Sequence, residues 1–270
     1  MAIHPTSIVD PCAEIDAGVE VGPFCVIEAH VRVSAGCRLY QNVYLTGWTQ
    51  IGEDCELHPG VIVGHKPQDT KYGGERSYCR VGRRTILREN VTIHRGTTPE
   101  SYTLVGEECF FLANSHVGHN AVVGDRVTLI NNALLGGHVV VGDGATLGGG
   151  AGVHQFVRIG QLAMVAGNAT VLMDIVPFAL TDSAGRIAGI NRVGLRRAGF
   201  TADEVRRIRE AYRTLFSRGL PFREAVNRLS DESASDNIDV LVEFLRQESK
   251  RGHAGRSRGS PSQGDCTHRP

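Results

Sequence analysis

The chain has 270 residues, 29 basic against 29 acidic side chains, and 41% apolar content. Neutrality argues against nucleic acid as the main partner, which leaves a basic excess. No apolar run of about 18 residues is present to cross a bilayer, and the opening M-A-I-H-P-T-S-I-V-D-P has neither the charged leader nor the apolar core of a secretory signal. The expectation is a cytoplasmic protein with no transmembrane segment, built from one large domain and one small one.

Glycine is abundant at 33 residues and aromatics are sparse at 6%, which points to repeated tight turns. The seven cysteines form no C-x-x-C pair, so neither a thiolate zinc site nor a disulfide framework is expected. They read as small buried hydrophobes in a reducing compartment.

From Ile3 the chain keeps a step of six. Ile3, Val9, Ile15, Val21, Ile27, Val33, Leu39, Leu45, Ile51, Leu57 and Val63 are all aliphatic. The step fails at Asp69, Glu75 and Pro99, yet resumes in phase at Val81 and again at Val105. It ends at Val171, giving 29 positions with three misses. Glycine often follows the aliphatic residue, and a small residue comes four after it; Cys25, Cys37, Cys55 and Cys109 sit there. This is the repeat of a parallel β-helix, in which each hexad is a short strand and a corner and three hexads close a coil. Two polar insertions interrupt it, at 64–80 and 94–104; long loops on a rigid scaffold tend to carry function.

The repeat stops after Pro177, and residues 178–198 read as irregular. T-A-D-E at 201–204 is a capping box with Thr201 as N-cap and Glu204 reaching back. Val205, Ile208, Ala211, Tyr212 and Leu215 follow at helical spacing. Pro221 opens a second helix to about Leu229, and a third runs from Ile238 to Ser249. The domains predicted are 1–177, an all-β solenoid; 178–250, a C-terminal α-helical domain; and 251–270, a Gly/Ser/Arg-rich disordered tail.

The chemistry concentrates in F-L-A-N-S-H-V-G-H-N-A-V-V-G-D, residues 111–125. In an eighteen-residue column His119 stacks over Gly137, and Gly137 over Gln155; His138 and His154 flank it, with His116 and His94 near in sequence. Isolated histidines on an exposed face are usually just polar residues, and His4, His30, His58, His253 and His268 keep that reading. The clustered set supports a general base. Imidazole titrates near neutrality and can take a proton from a hydroxyl, while the N–H of Gly137 is open to an oxyanion. No Ser or Cys is placed as nucleophile, so direct attack by an acceptor hydroxyl is the simpler mechanism.

Several motifs together resemble one family: P-Q-D-T-K-Y-G-G-E in the first insertion, V-T-I-H-R-G-T at 91–97, N-S-H-V-G-H, G-G-H at 136–138, V-H-Q-F at 153–156 and G-I-N-R-V-G-L-R-R-A-G-F at 189–200. The chain is similar to the UDP-N-acetylglucosamine O-acyltransferases that begin lipid A synthesis, members of the hexapeptide-repeat acyltransferases. That resemblance covers the chain to about residue 250 and implies a left-handed β-helix, a hand the general crossover rule would not choose. It also implies a homotrimer with sites between subunits, and transfer of a 3-hydroxyacyl chain from acyl carrier protein to the sugar 3-OH of UDP-N-acetylglucosamine, without a cofactor. By the same resemblance His119 is the general base and Gly137 the oxyanion donor. Asp69 and Lys71 would reach the sugar nucleotide, from a neighbouring subunit. His94, His116, His138, His154 and Gln155 would line the substrate path, and Asn191 and Arg197 would hold the nucleotide. Gly167 matches the position that sets acyl length, and glycine there implies a long chain. Arg192, Arg196, Arg206 and Arg207 are candidates for meeting the carrier protein, with a solvated face as the alternative.

The sequence departs from the family's pattern at three places. Asn120 stands where Asp is usual after the base, and an amide can orient an imidazole but not offset its charge; Val193 and Ala198 stand where Glu and Arg are usual. Zinc sites of some hexapeptide solenoids use a histidine pair five apart plus a third two coils away. Here the pair is three apart and Arg83 lies 36 residues before His119, so no metal is expected. An N-acyltransferase of the same pathway carries an extra N-terminal domain for which a step beginning at Ile3 leaves no room. Acetyl-CoA-dependent hexapeptide transferases do not suit the loop and C-terminal motifs. Transfer to a 3-amino sugar, or a non-catalytic solenoid, remain the alternatives.

Overall fold

The computed structural model of the chain describes residues 2–216, 219–231 and 235–256. Strands of mostly two residues stack into three sheets of 11, 9 and 8 strands, parallel except for the last strand of the first, as the faces of a triangular prism. They form a left-handed parallel β-helix. Call the faces A, B and C: A begins with Ala2–Ile3, B with Ile8–Val9 and C with Glu14–Ile15.

The six-step aliphatic residues point inward. Leu45, Leu57, Leu87, Ile93, Phe111, Val117, Leu129 and Leu135 have no exposed surface. Burying such a side chain contributes about 1.5–3 kcal/mol. The small residue four places on fills the corner: Cys25, Cys37, Cys55 and Cys109 are buried, as are Ala121, Ala133, Ala145 and Ala163. The residue before it takes a left-handed conformation, as at Asn42, Asn90, Asn114, Asn120 and Asn132 with φ of 58° to 62°. Asparagine tolerates that region better than most residues.

The insertions are shorter than the sequence suggested, because their ends are paired strands. Ile62–His65 pairs with Thr92–His94, and Tyr78–Val81 with Tyr102–Val105. The loops proper cover 66–77 and 95–101. Ile62 lies 18 residues from its partner Tyr44 but 30 from Thr92, and Thr92 lies 24 from His116. The loops therefore add twelve and six residues, whole hexads, which is why the step resumes in phase. The column count does not survive them, however. Arg83, two eighteen-steps before His119, lies between faces C and A and pairs with Glu107 at 2.7 Å, so it says nothing about the coils below His119.

Residues 178–198 are not irregular. Ala179–Thr181 extends face A beyond Pro177 by pairing with Met164–Val165, then turns back antiparallel as Ile187–Ile190. The turn sits at Asp182–Gly185, where Asp182 Oδ1 accepts from the Ala184 and Arg186 N–H. Helix α1 follows at Arg192–Arg197, then α2 at Ala202–Phe216, α3 at Phe222–Asp231 and α4 at Asp236–Arg246. The capping box forms: Glu204 accepts from the Thr201 N–H at 2.7 Å while Thr201 Oγ1 accepts from the Glu204 N–H at 3.3 Å.

Residues 251–256 correct the expectation of a disordered tail from 251. Asp174 N–H donates to Gly252 and Ala254 N–H to Asp174, both at 2.8 Å, and Ile187 bridges to Arg256. Residues 257–270 lie outside the described residues. Arg158 ties the two parts together. It meets the fully buried Asp174 carboxylate at 2.7 Å and donates to the Phe244 carbonyl at 3.2 Å at the end of α4.

Candidate active site

His119 and Asn120 occupy the corner between the face B strand His116–Val117 and the face C strand Val122–Val123. No insertion follows them, so the eighteen-residue column holds from here on. His138 N–H donates to the His119 carbonyl at 2.9 Å, and Phe156 N–H to Gly137 at 3.1 Å. The ring of His119 lies across Gly137: a Cβ there would stand 2.5 Å from both Cε1 and Nε2. The Gly137 N–H has no acceptor among the described residues.

Asn120 fixes how the imidazole is used. Its side-chain oxygen accepts from the Thr97 N–H at 3.0 Å and the Thr97 hydroxyl at 2.8 Å. A backbone N–H can only donate, so the atom facing it is the amide oxygen rather than the nitrogen. That same oxygen lies 3.1 Å from His119 Nδ1. Nδ1 must then carry the proton, and Nε2, beside Gly137, holds the lone pair. The amide thus performs the orienting half of a carboxylate's role, and the second insertion reaches the site through Thr97.

A cavity of about 500 Å³ opens along this edge, lined by His94, His116, His119, Gly137, His154 and Gln155, with Gln68 from the first loop and Leu172 beyond. Burial first, then the neighbouring imidazoles, pushes His94 down to about 4. Burial and then His119 lower His116, whose Nδ1 is also 2.7 Å from the Thr92 hydroxyl. His138 is lowered by burial, then by His119 and Lys250, against a smaller opposing pull from Asp69. Its ring stacks on Phe156 at 4.7 Å and meets His119 edge-on at 5.3 Å, behind the cavity rather than in its lining.

The other sequence candidates scatter. Asp69 and Lys71 are on the first loop and outside the cavity lining; Asp69 Oδ1 accepts from the Lys71 N–H at 2.9 Å. Asn191 caps α1, accepting from Gly194 at 2.9 Å and donating to Leu162 at 2.8 Å, so its side chain serves the local fold. Arg197 is exposed. Gly167 is exposed at the edge between faces A and B, across face B from His119; a Cβ added there would stand 3.4 Å from Gly149 O.

Sequence reasoning passed over four residues near the site. His65 pairs with His94 across a register shift, their rings 6.3 Å apart. Thr97 and Gln68 come from the loops. Arg251 reaches His154 Nε2 and the Gln155 carbonyl, each at 2.9 Å. The loop motifs marked the neighbourhood of Thr97 and Gln68; no spacing signal marks Arg251.

Comparison with known proteins places the chain in a family. A family profile for UDP-N-acetylglucosamine O-acyltransferase, domain 2, matches residues 174–254. The chain is 38% identical over 253 residues to the acyl-[acyl-carrier-protein]–UDP-N-acetylglucosamine O-acyltransferase of Thermodesulfovibrio yellowstonii, covering 93% of this chain and 98% of that one. It is 41% identical over 254 residues to that of Brucella ovis, covering 93% and 91%. Among solved structures, LpxA from Acinetobacter baumannii superposes with a TM-score of 0.90 at 33% identity, over 94% of this chain and 100% of that one. The Francisella novicida UDP-N-acetylglucosamine acyltransferase gives 0.91 at 33%, over 95% of each. With these identities running almost end to end, the chain belongs to the UDP-N-acetylglucosamine O-acyltransferase family.

Proposed function

We propose that this protein transfers a 3-hydroxyacyl chain from acyl carrier protein to the 3-hydroxyl of UDP-N-acetylglucosamine, the opening step of lipid A synthesis. The observation that carries the mechanism is the pairing of a fixed His119 Nε2 lone pair with the uncommitted N–H of Gly137. The sugar hydroxyl attacks the thioester carbonyl as Nε2 takes its proton. The Gly137 N–H donates to the resulting oxyanion. The tetrahedral intermediate then collapses, the C–S bond breaks, and the departing thiolate recovers the proton from His119. No cofactor enters this scheme.

Burial keeps His94, His116 and His138 on the neutral side at neutral pH. His94 and His116 in the cavity wall therefore offer hydrogen bonds, and with His138 behind it they add no cations around the base. In a cytoplasmic homotrimer, the α1 segment of one subunit would reach the site of another, which gives Arg197 its part; the first loop already stands beside this chain's own site, with Gln68 in the cavity lining and Asp69 acting on His138, which gives Asp69 and Lys71 theirs. A cavity of about 630 Å³ between the hairpin and α2 is rimmed by Arg192, Arg209, Arg213 and Arg256, and supports docking of an acidic carrier protein there. Of the other arginine candidates, Arg206 pairs with Asp203 at 3.0 Å, and Arg196 and Arg207 are exposed.

The test is transfer from 3-hydroxyacyl carrier protein to UDP-N-acetylglucosamine beside its 3-amino analogue, read by mass spectrometry. An O-acyl product is expected. An amide alone would change the acceptor, and no product from a folded trimer would leave a non-catalytic solenoid.

A further inference from the structure

The segment following α4 runs back along the edge that holds the catalytic corner. Arg251 Nε donates to the Gln155 carbonyl at 2.9 Å, and a terminal guanidinium nitrogen lies 2.9 Å from His154 Nε2. A guanidinium has donors only. His154 Nε2 must therefore be the unprotonated nitrogen, and the proton sits on Nδ1, which faces the Gln155 carbonyl at 3.2 Å. His154 is exposed, so burial does not hold it neutral as it holds His94. Arg251 does: a protonated His154 would lose this bond and face a second cation at contact distance.

The turn so held is the next corner above Gly137. Phe156 N–H donates to the Gly137 carbonyl at 3.1 Å, and His154 and Gln155 line the catalytic cavity. Lys250 braces the turn from outside, its ammonium 4.6 Å from the centre of the Phe156 ring, which stacks on His138. The charged and titratable groups around the turn are thus Arg251 and Lys250 from the C-terminal segment, His119 and His138 from the corner stack, and Asp69 from the first loop, which acts on His138.

We propose that Arg251 is a positioning residue of the transfer site: through His154 and the Gln155 carbonyl it holds the turn 154–156 over Gly137 and keeps His154 in a single neutral tautomer. The inference rests on the reading of this cavity as the catalytic one. Its first readout does not depend on activity.

The experiment uses the full chain. Nitrogen-15 spectra of the ring nitrogens of His154, assigned through His154→Gln, are recorded at pH 7 for the parent, Arg251→Ala and Arg251→Lys. The parent should show one neutral form with the proton on Nδ1. Arg251→Ala should show exchange between tautomers and a proton gained at higher pH, and Arg251→Lys, which can still donate to Nε2, should restore the parent pattern. In transfer assays Arg251→Ala should lower kcat about 10- to 100-fold, the scale of a misplaced site, with KM for the sugar nucleotide changed less than about threefold. Truncation after Arg256 should change neither readout. An unchanged His154 spectrum in Arg251→Ala overturns the proposal. A raised KM with unchanged kcat also overturns it, making Arg251 a substrate contact. If Arg251→Ala fails to fold, Arg251→Lys and Arg251→Gln carry the same comparison. Absence of transfer by the parent, with the tautomer lock intact, would fault the proposed function and not the lock.

Discussion

A single methyl group placed at Gly137 tests the geometry of the base. In Gly137→Ala the new Cβ would lie 2.5 Å from both Cε1 and Nε2 of His119. Comfortable carbon contacts begin at about 3.5 Å, so the ring must retreat by roughly 1 Å. It cannot do so and keep its 3.1 Å contact to Asn120 Oδ1, because that oxygen is anchored by two bonds from Thr97. Gly137 is not among the glycines with positive φ, so the backbone accepts alanine, and the N–H proposed for the oxyanion is retained. The substitution therefore separates base placement from oxyanion donation. A displacement of about 1 Å is worth on the order of 10²-fold in rate, and complete loss of a general base 10² to 10⁴-fold. The expected result is a fall in kcat of at least about 10²-fold, with thermal stability within a few degrees of the parent. Single-turnover transfer from the carrier thioester, quantified by mass spectrometry, reads it directly. A variant that keeps more than about half of the parent rate would show that His119 Nε2 is not the proton acceptor in the position described.

Substitutions at four further positions probe the surrounding structure. Asn120→Asp should keep or raise kcat, since a carboxylate retains the acceptor and offsets the imidazolium, whereas Asn120→Leu should lose about 10²-fold; equal rates for the parent and the leucine variant would remove the orienting role. His94 sits at about 4 when folded against 6.5 ordinarily. In that window the unfolded chain binds a proton that the folded chain refuses, so stability is lost as pH falls from about 6.5 to about 4, by at most ~3 kcal/mol before solvent screening. Urea unfolding at pH 7 and 5 should show a smaller difference in His94→Gln. Gly167→Met should shift donor preference toward shorter acyl chains in competition assays with mixed carrier thioesters; an unchanged profile would dissociate this edge from chain length. Arg158→Met leaves the fully buried Asp174 without its cation and should cost about 3–5 kcal/mol in denaturant unfolding.

The prism was legible because its inward residue recurs every six positions and the cramped corner admits only small side chains, so Val117 and Ala121 announce the same coil. The stack of His119, Gly137 and Gln155 was legible for a narrower reason: no insertion separates those three corners. Below His119 the same arithmetic fails. Thr97 meets Asn120 across 23 residues, and His65 meets His94 across a register shift, because the loops reset the distance between stacked corners without disturbing the phase. The hairpin and α1 escaped notice in a stretch where alternation is short and Gly185, Gly189 and Gly194 blur it. Asn191 was legible as a motif residue, but not as the cap of a six-residue helix. Arg251 is 96 residues from the carbonyl it holds, and its own neighbourhood is rich in glycine, serine and arginine, which reads as unstructured.

The stacking of coils also bears on how such a chain reaches its fold. Most strand partners are 18 residues away, as in Ala2↔Glu20 or Thr146↔Met164, so each ring can close upon a template already laid down, and order can spread in both directions from any nucleus. Each of the two loops lengthens one coil, to 30 and 24 residues between stacked strands on all three faces. Chain statistics place the added closure entropy at only ~0.7 kcal/mol for both together. A one-dimensional architecture can therefore extrude long segments beside its reactive corner with little penalty to assembly, whereas in a globular core each would have to thread among distant partners.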